Sequence, residues 1–172
     1  TLLETLITSK TRLRLLIKFF VAATNKGYLN GLAQEFGEST NAIRKELNHL
    51  AMAGYLTKNK ESNKIQYLAN AAHPLFSSLK KIVRQHLGLE FIAEKVIERM
   101  GDVQTISLVG DYAQGRDTGT IEMVICGHQL NDNYLVELTR KIEDQIDRRL
   151  NITMSQDIPK EGIVLYINES AN

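Results

Sequence analysis

The chain has 172 residues, 43% hydrophobic and 24% charged as in ordinary folded proteins, and its net charge is +1. Its single cysteine, Cys126, excludes an intrachain disulfide, and no uncharged apolar run approaches the roughly 18 residues that a membrane span needs. The sequence does not open with a signal-peptide pattern. We therefore expect a cytoplasmic protein without a membrane partner, built as one large or two small domains.

The charge is distributed unevenly along the chain. Residues 1–72 hold ten Lys and Arg against five Asp and Glu, residues 73–102 hold five against four, and residues 103–172 hold six against eleven. A basic N-terminal part suggests polyanion binding, and an acidic C-terminal part suggests a different task. We take these three ranges as the predicted domains: a binding domain, a connector and a C-terminal domain.

The first predicted elements lie before residue 30. Leu2–Ile7 is a short apolar stretch, expected to pack on the core of its domain or on a second subunit. A helix is predicted from Ser9 to Asn25–Gly27, and Tyr28 and Leu29 are predicted as a small strand. The inward stripe of the helix is Leu13, Leu16, Ile17 and Phe20. Its outer face carries Arg12, Arg14 and Lys18.

The stretch LNGLAQEFGESTNAIRKELNHLAMAGYLTKNKESNKIQYL, residues 29–68, predicts two helices followed by two strands. A short helix after Asn30 ends at Gly37, a typical helix-stop residue, and Ser39 can cap a second helix that Gly54 closes. The first helix places Leu32, Ala33 and Phe36 on one face. The second has a buried stripe at i, i+4 and i+7, formed by Ile43, Leu47 and Leu50.

The opposite face of the second helix carries hydrogen-bond donors and cations and no carboxylate. These side chains are Asn41, Arg44, Lys45 and Asn48. Two strand-like runs follow, Tyr55–Thr57 and Ile65–Leu68, joined by the polar turn KNKESNK. This order of elements is the winged helix-turn-helix arrangement, whose second helix enters the major groove, where Arg can read guanine and Asn adenine.

We therefore predict double-stranded DNA as a partner. Ser39 and Thr40 would lie near phosphate, and the four face residues would meet base edges. The wing would contact the flanking backbone through Lys58, Lys60 and Lys64. The alternatives are an ordinary solvated helix face and a winged helix that binds protein. Residues 9–69 resemble bacterial winged helix-turn-helix repressors of the ArsR/MarR type, which implies a transcriptional regulator, expected to be a dimeric repressor.

Residues 73–102 are predicted to form a helical connector. Pro74 is expected at the first helical position, and Gly88 is the weak point of a helix over residues 74–100. The apolar stripe before the glycine is Leu75, Leu79, Ile82 and Val83. The stripe after it is Ile92, Val96 and Met100. The helix either packs against its own two domains or forms the seam of a homodimer, and winged-helix regulators bind paired half-sites as dimers.

From Val103 the pattern alternates between strand and helix, so the chain as a whole is predicted to be α+β. Strands are predicted at residues 104–109, 121–125, 152–154 and 163–167. A glycine-containing loop is predicted at residues 110–119. A helix is predicted over residues 133–150. Its inward residues are Leu135, Leu138, Ile142 and Ile146.

The stretch SLVGDYAQGRDTGTIEMVICG, Ser107–Gly127, resembles the entry strand, glycine loop and metal-binding strand of small nucleotidyltransferase domains. Chains that fuse such a domain to a winged helix form a group of bacterial transcriptional regulators, which this chain resembles over nearly its full length. The family pattern is Gly-Ser, then Arg-Gly, then Asp-x-Asp to hold Mg²⁺. Here Asp111 replaces the serine, Gln114-Gly115 replaces Arg-Gly, and Thr120-Ile121-Glu122 replaces Asp-x-Asp.

These departures predict a degenerate domain that is not an enzyme and needs no metal or other cofactor. The domain is expected to be a scaffold or to bind a nucleotide effector. The candidate effector residues are Gly110, Asp111, Tyr112, Gly115, Arg116 and Glu122. One rival hypothesis is a Mg²⁺-dependent nucleotidyltransferase whose winged helix positions the substrate. Another is an interaction module of the toxin–antitoxin type. The four histidines lack metal-site spacing, and Cys126 is expected to be a buried small residue.

Overall fold

In a computed structural model of the protein, which describes residues 2–169, helix α1 (Leu2–Leu6) precedes helix α2 (Lys10–Phe20). Ser9 caps α2 by accepting a hydrogen bond from the backbone N–H of Arg12. The predicted inward stripe of α2 is confirmed, since all four of its residues are buried. The predicted end of this helix was wrong. It stops at Phe20, and the Asn25 side chain turns back to donate to the Lys18 carbonyl.

The predicted helix-turn-helix is present. Helix α3 (Leu29–Phe36) ends at Gly37, whose φ of +64° is the left-handed conformation that glycine adopts without strain. Helix α4 (Thr40–Met52) starts at Ser39, whose hydroxyl accepts from the Ala42 N–H. The predicted stripe of α4 (Ile43, Leu47 and Leu50) is buried. Leu29, predicted as strand, begins α3 instead.

Three antiparallel strands form the wing, in the order β1-β3-β2: β1 (Gly27–Tyr28), β2 (Leu56–Glu61) and β3 (Lys64–Ala69). The predicted seven-residue turn was wrong, because cross-strand pairing continues to Glu61 opposite Lys64. Only Ser62 and Asn63 remain as the turn, and Ser62 has a φ of +50°. Positive φ is usual in two-residue hairpin turns.

Helix α5 (Phe76–Leu87) and helix α6 (Leu89–Arg99) meet at Gly88, whose φ is +76°. Pro74 does not start α5 as predicted, because residues 71–75 form turns in which His73 accepts from the backbone N–H groups of Leu75 and Phe76. The contacts of the chain divide it within α5 into two compact units, Thr1–Val83 and Arg84–Asn172. The division therefore falls inside the predicted connector.

The second unit contains a four-stranded mixed sheet of order β6-β5-β4-β7. Its remaining elements are β4 (Asp102–Val109), α7 (Gly110–Ala113), β5 (Thr120–His128), α8 (Asp132–Ile146), β6 (Arg149–Ser155) and β7 (Ile163–Ile167). Strands β5 and β6 are parallel, and the other pairs are antiparallel. Helices α6 and α8 pack on the sheet through buried residues that include Ile92, Val96, Leu138 and Ile142.

Helix α8 ends four residues earlier than predicted. Asp147 follows it with a φ of +53°, which a right-handed helix cannot continue, and Leu150 belongs to β6. Both units thus mix helices and strands, as the α+β prediction states. Within residues 2–169, the helices are too short or too polar to cross a bilayer.

Candidate nucleic-acid interface

The predicted polar face of α4 lies on the surface. Asn41, Arg44 and Lys45 are exposed, and Asn48 is half-buried. Arg44 Nη1 donates to Asn41 Oδ1 at 2.8 Å, one turn earlier on the same face. The buried stripe fixes the rotation of α4, and the polar side chains therefore point away from the core. Ser39 and Thr40 are exposed at the start of the helix.

The helix-turn-helix contains three carboxylates, and cations of α2 hold all of them. Arg12 Nε contacts Glu46 at 2.8 Å, Arg14 Nη1 contacts Glu38 at 2.6 Å, and Lys18 Nζ contacts Glu35 at 3.0 Å. The prediction that Lys18 lies on the outer face was wrong. Its residue is 8% exposed, because its stem packs inward while its ammonium reaches Glu35.

Glu46 is the most enclosed of these carboxylates. It accepts hydrogen bonds from Ser9 Oγ at 2.9 Å and Arg12 Nε at 2.8 Å. Burial opposes its ionisation, but those two hydrogen bonds and the charges of Arg12 and His49 outweigh burial and hold the pKa of Glu46 below its ordinary value. Glu46 is therefore ionised, and its contacts with Ser9 and Arg12 join α4 to α2.

The cations of α4 have no such counter-charge. Within the described part of the chain, Arg44 and Lys45 form no ion pair. Because the nearby acids are already neutralised by α2, the surface of α4 has an uncompensated positive charge. This face can attract an external polyanion.

The structure does not bring the three predicted wing lysines onto one face of the wing. Strand pairing sets Lys58 opposite Tyr67 and Lys60 opposite Ile65, whereas Lys64 is opposite Glu61 on the other face. The Lys58 ammonium lies 5.8 Å from the centre of the Tyr67 ring. The prediction that these three lysines lie in the turn was wrong, because they belong to β2 and β3, along which side chains alternate in direction.

A cleft of about 500 Å³ separates the wing from α4. Arg44 and Asn48 line its helix side. Lys58, Lys64, Ile65 and Tyr67 line its wing side, and Tyr28–Gly31 also contribute to its lining. Burial raises the pKa of Tyr67, and the charge of Arg44 partly opposes that rise. Sequence reasoning missed Tyr28 and Tyr67, although aromatic residues in strand-like runs next to basic ones were an available signal.

The candidate effector loop of the second unit has its own internal partners. Gly110 has a φ of +67°, and a Cβ there would collide with the Glu122 carboxylate. Asp111 Oδ1 lies 3.6 Å from Arg116 Nε, and Arg116 also donates to the Gln114 side chain. Asn151 of β6 is paired with Glu122 of β5 in the sheet. Gly115 follows α7 in the left-handed region, with a φ of +74°.

Tyr112 is fully buried at the base of this loop. Its hydroxyl donates to Asp117 and accepts from the Gly119 N–H at 3.0 Å and from Arg148 Nε at 3.2 Å. Burial, followed by the hydrogen bond and charge of Asp117, raises the pKa of Tyr112 to about 12. Sequence reasoning missed Asp117 and Arg148. Arg148 Nη2 donates to Asp117 Oδ2 at 2.9 Å, but the two residues are 31 positions apart and belong to no local motif.

Residues that often bind metals are dispersed. Among residues 2–169, no three His, Cys, Asp or Glu side chains are grouped to hold a metal ion. The prediction that Cys126 is a buried small residue is confirmed, since it is 3% exposed and its Sγ donates to the Asp157 carbonyl at 3.2 Å.

No protein-family profile matches this chain, and no curated protein matches it. The solved structures that it resembles include reduced HlyU from Vibrio cholerae, which is 18% identical with a TM-score of 0.40 over 51% of this chain and 83% of HlyU. They also include the antimony-specific transcriptional repressor AntR, which is 24% identical with a TM-score of 0.40 over 55% of this chain and 78% of AntR. Likenesses at this TM-score carry no argument, so the interface rests on the chain's own residues.

Proposed function

We propose that the chain is a sequence-specific, double-stranded DNA-binding regulator of transcription. The observation that carries this proposal is the unpaired cationic face of α4, next to a wing, in a unit whose helix-turn-helix acids are all neutralised by α2. An ordinary solvated face would mix both signs of charge. A face without acid suits phosphate and the acceptor-rich edge of guanine.

In the proposed complex, α4 enters the major groove. Arg44 would donate to guanine, Asn48 and Asn41 would pair with adenine, and Lys45 would contact phosphate or a base edge. Lys58 would meet the phosphate strand that passes the cleft, with Lys60 and Lys64 at flanking phosphates. Ser39 and Thr40 would lie beside phosphate at the start of α4.

Selection of bound sequences from a library of random DNA duplexes tests this proposal. The protein is incubated with a random duplex library, and bound sequences are compared with those selected by Arg44→Ala/Asn48→Ala at the same salt. A selected motif that the double variant loses would support the proposal. Arg140→Ala removes an exposed cation from the second unit and should leave the motif unchanged. A failure of the unaltered protein to retain any duplex at low salt would refute DNA binding.

We further propose that the regulator is a homodimer joined through α5. Leu75, which directly precedes α5, is 47% exposed, and Ile82 of α5 is 42% exposed. Half-buried Leu79 lies between them at helical spacing. The other side of α5 packs inward, where the Phe76 and Phe20 rings lie 5.9 Å apart. Covering this exposed apolar stripe with a second copy of the chain would remove apolar surface from water and so stabilise a dimer.

Oligomeric state by light scattering tests the dimer. Ile82→Lys should yield monomers. Met52→Lys alters an equally apolar side chain that is 86% exposed at the end of α4 and should leave the dimer intact. A two-fold symmetric DNA motif would support the same conclusion. Monomers of the unaltered protein at micromolar concentration would contradict it.

For the second unit, we propose a role as an effector-binding or scaffold module and not as a nucleotidyltransferase. Two-metal phosphoryl transfer needs paired carboxylates, and here Thr120 and Glu122 stand where the resemblance places the Asp-x-Asp pair. Assays with Mg²⁺ and each of the four nucleotides should show no transfer. Turnover that Glu122→Ala abolishes would contradict this. Calorimetric titration with the same nucleotides separates effector binding from scaffolding.

A further inference from the structure

Three side chains form a closed ring that joins the wing tip to the start of α3. Gln66 Nε2 donates to Tyr28 Oη at 2.8 Å and to Glu61 Oε1 at 3.1 Å. Tyr28 Oη in turn donates to Glu61 Oε2 at 2.8 Å. Each residue belongs to a different strand of the wing sheet, and Gln66 is only 4% exposed. Tyr28 Oη, Gln66 Nε2 and both carboxylate oxygens of Glu61 thus each have a partner within the ring.

The ring connects two points that DNA binding would require to be fixed. Glu61 ends β2 directly before the turn of the wing, and Tyr28 directly precedes α3. Strand pairing places Tyr28, Gln66 and Glu61 on one face, opposite the face that carries Lys58 and Tyr67. The ring can therefore hold the angle of the wing, and with it the distance from Lys58 to Arg44 across the cleft.

Because Glu61 is negatively charged, the effect of its removal on DNA binding can distinguish two roles for this residue. It is an exposed carboxylate in an otherwise basic hairpin, and as a bare charge it would repel phosphate. If that repulsion were its main effect, its removal would strengthen DNA binding. If it acts through the ring, its removal would weaken binding even though a negative charge is lost. The two effects have opposite signs.

We propose that Glu61 is a positioning residue for DNA binding, which acts by tying Tyr28 and Gln66 together so that the wing is held at a fixed distance from α4. This inference rests on the proposed function. Tyr28 is its partner, so loss of the Tyr28 hydroxyl has the same consequence as loss of the carboxylate. Ring members that act as one unit give effects that do not add.

The test measures affinity for the selected duplex against salt concentration for Glu61→Ala, Glu61→Gln, Tyr28→Phe and the Tyr28→Phe/Glu61→Ala double variant. Glu61→Ala and Tyr28→Phe should each weaken binding roughly threefold, no more than Lys58→Ala does, because the wing lysine is displaced and not lost. Each should lower the salt slope by at most about one. The double variant should bind no more weakly than either. Glu61→Gln keeps the size and part of the hydrogen bonding, so it should lose less affinity than Glu61→Ala.

Controls distinguish the proposed positioning of the wing from a general effect of removing negative charge and from a loss of folding stability. Glu94→Ala removes an exposed carboxylate from the second unit and should bind as the unaltered protein does. Amide hydrogen exchange across residues 59–65 should quicken in Tyr28→Phe without DNA, while the thermal unfolding midpoint stays unchanged. Tighter binding by Glu61→Ala, or unchanged binding and exchange in Tyr28→Phe, would overturn the inference while DNA binding stands. No binding of any duplex by the unaltered protein would sink the proposed function and this inference together.

Discussion

The two units use their charged side chains in different ways. Thr1–Val83 holds twelve Lys and Arg against five Asp and Glu, and cations of α2 neutralise the acids of the helix-turn-helix. Arg84–Asn172 holds nine against fifteen. There, the cations beside the glycine loop are already engaged, Arg116 near Asp111 and Arg148 with Asp117.

This difference in charge pairing distinguishes the surface of α4, where cations are available to a ligand, from the glycine loop, where cations stabilise the fold. Among residues 2–169, Arg44 has Asn41 as its one hydrogen-bond partner, and it lines a cleft. Arg148 has a side chain that is 12% exposed and is held by both Asp117 and Tyr112. A basic side chain therefore indicates an external anion only where the nearby carboxylates are already paired with other groups. Four substitutions test this distinction.

Arg44→Ala should have the largest effect on DNA binding. We expect a loss of about 1–3 kcal/mol in binding free energy for the selected duplex, with relaxed preference at one base, because a bidentate contact to guanine is lost. Competition binding with single-base variants of the site measures both changes. Arg140→Ala serves as the matched control for charge. A uniform loss across all sequences would assign Arg44 to phosphate and contradict base reading.

Tyr112→Phe should lower the free energy of unfolding by roughly 1–2 kcal/mol and leave DNA affinity unchanged. The substitution deprives Asp117, Arg148 and the Gly119 N–H of a buried partner. Urea denaturation measures the loss. Tyr134→Phe is the control, because the Tyr134 hydroxyl accepts a long 3.4 Å hydrogen bond from Lys141. Equal stability of the two variants would show that the ring of Tyr112 matters and its hydroxyl does not.

Sequence patterns correctly predicted the features that are determined by residues close together in the sequence. Ser39 as a cap, Gly37 as a stop and the i, i+4, i+7 stripe of α4 each depend on neighbours within one or two turns, and all three are confirmed. The exposure of the polar face of α4 follows from the same periodicity. These features need no knowledge of distant residues.

The errors arose where distant partners decide the outcome. Lys18 is enclosed because Glu35 of another helix reaches it, and the wing strands extend because backbone pairing stabilises a run without apolar alternation. Tyr28, Glu61 and Gln66 form one ring only after three strands assemble. Arg148 and Asp117 are likewise joined by the fold of the second unit. No local pattern marks such pairs.

Glu46→Gln should remove a pH-dependent part of the stability of the first unit. Because the folded pKa of Glu46 is below its ordinary value of 4.5, its ionised form contributes stability above about pH 4.5, which is lost as pH falls through the folded pKa. We expect a cost of about 1 kcal/mol at pH 7, limited by the exposure of Arg12, that shrinks in acid. Denaturation across pH measures it, with Glu94→Gln as control. A cost independent of pH would contradict the ionic tie.

Lys58→Ala should have the smallest effect, a change in salt dependence more than in affinity. Lys58 lies on the cleft face of the wing, where one phosphate contact would release about one counterion, so the slope of log affinity against log salt should fall by about one. All duplexes should weaken alike, unlike the base-selective loss in Arg44→Ala. Lys160→Ala removes the same charge from the exposed surface of the second unit and should leave the slope unchanged. An unchanged slope in Lys58→Ala would mean that the phosphate strand does not pass the cleft, and would confine the interface to α4.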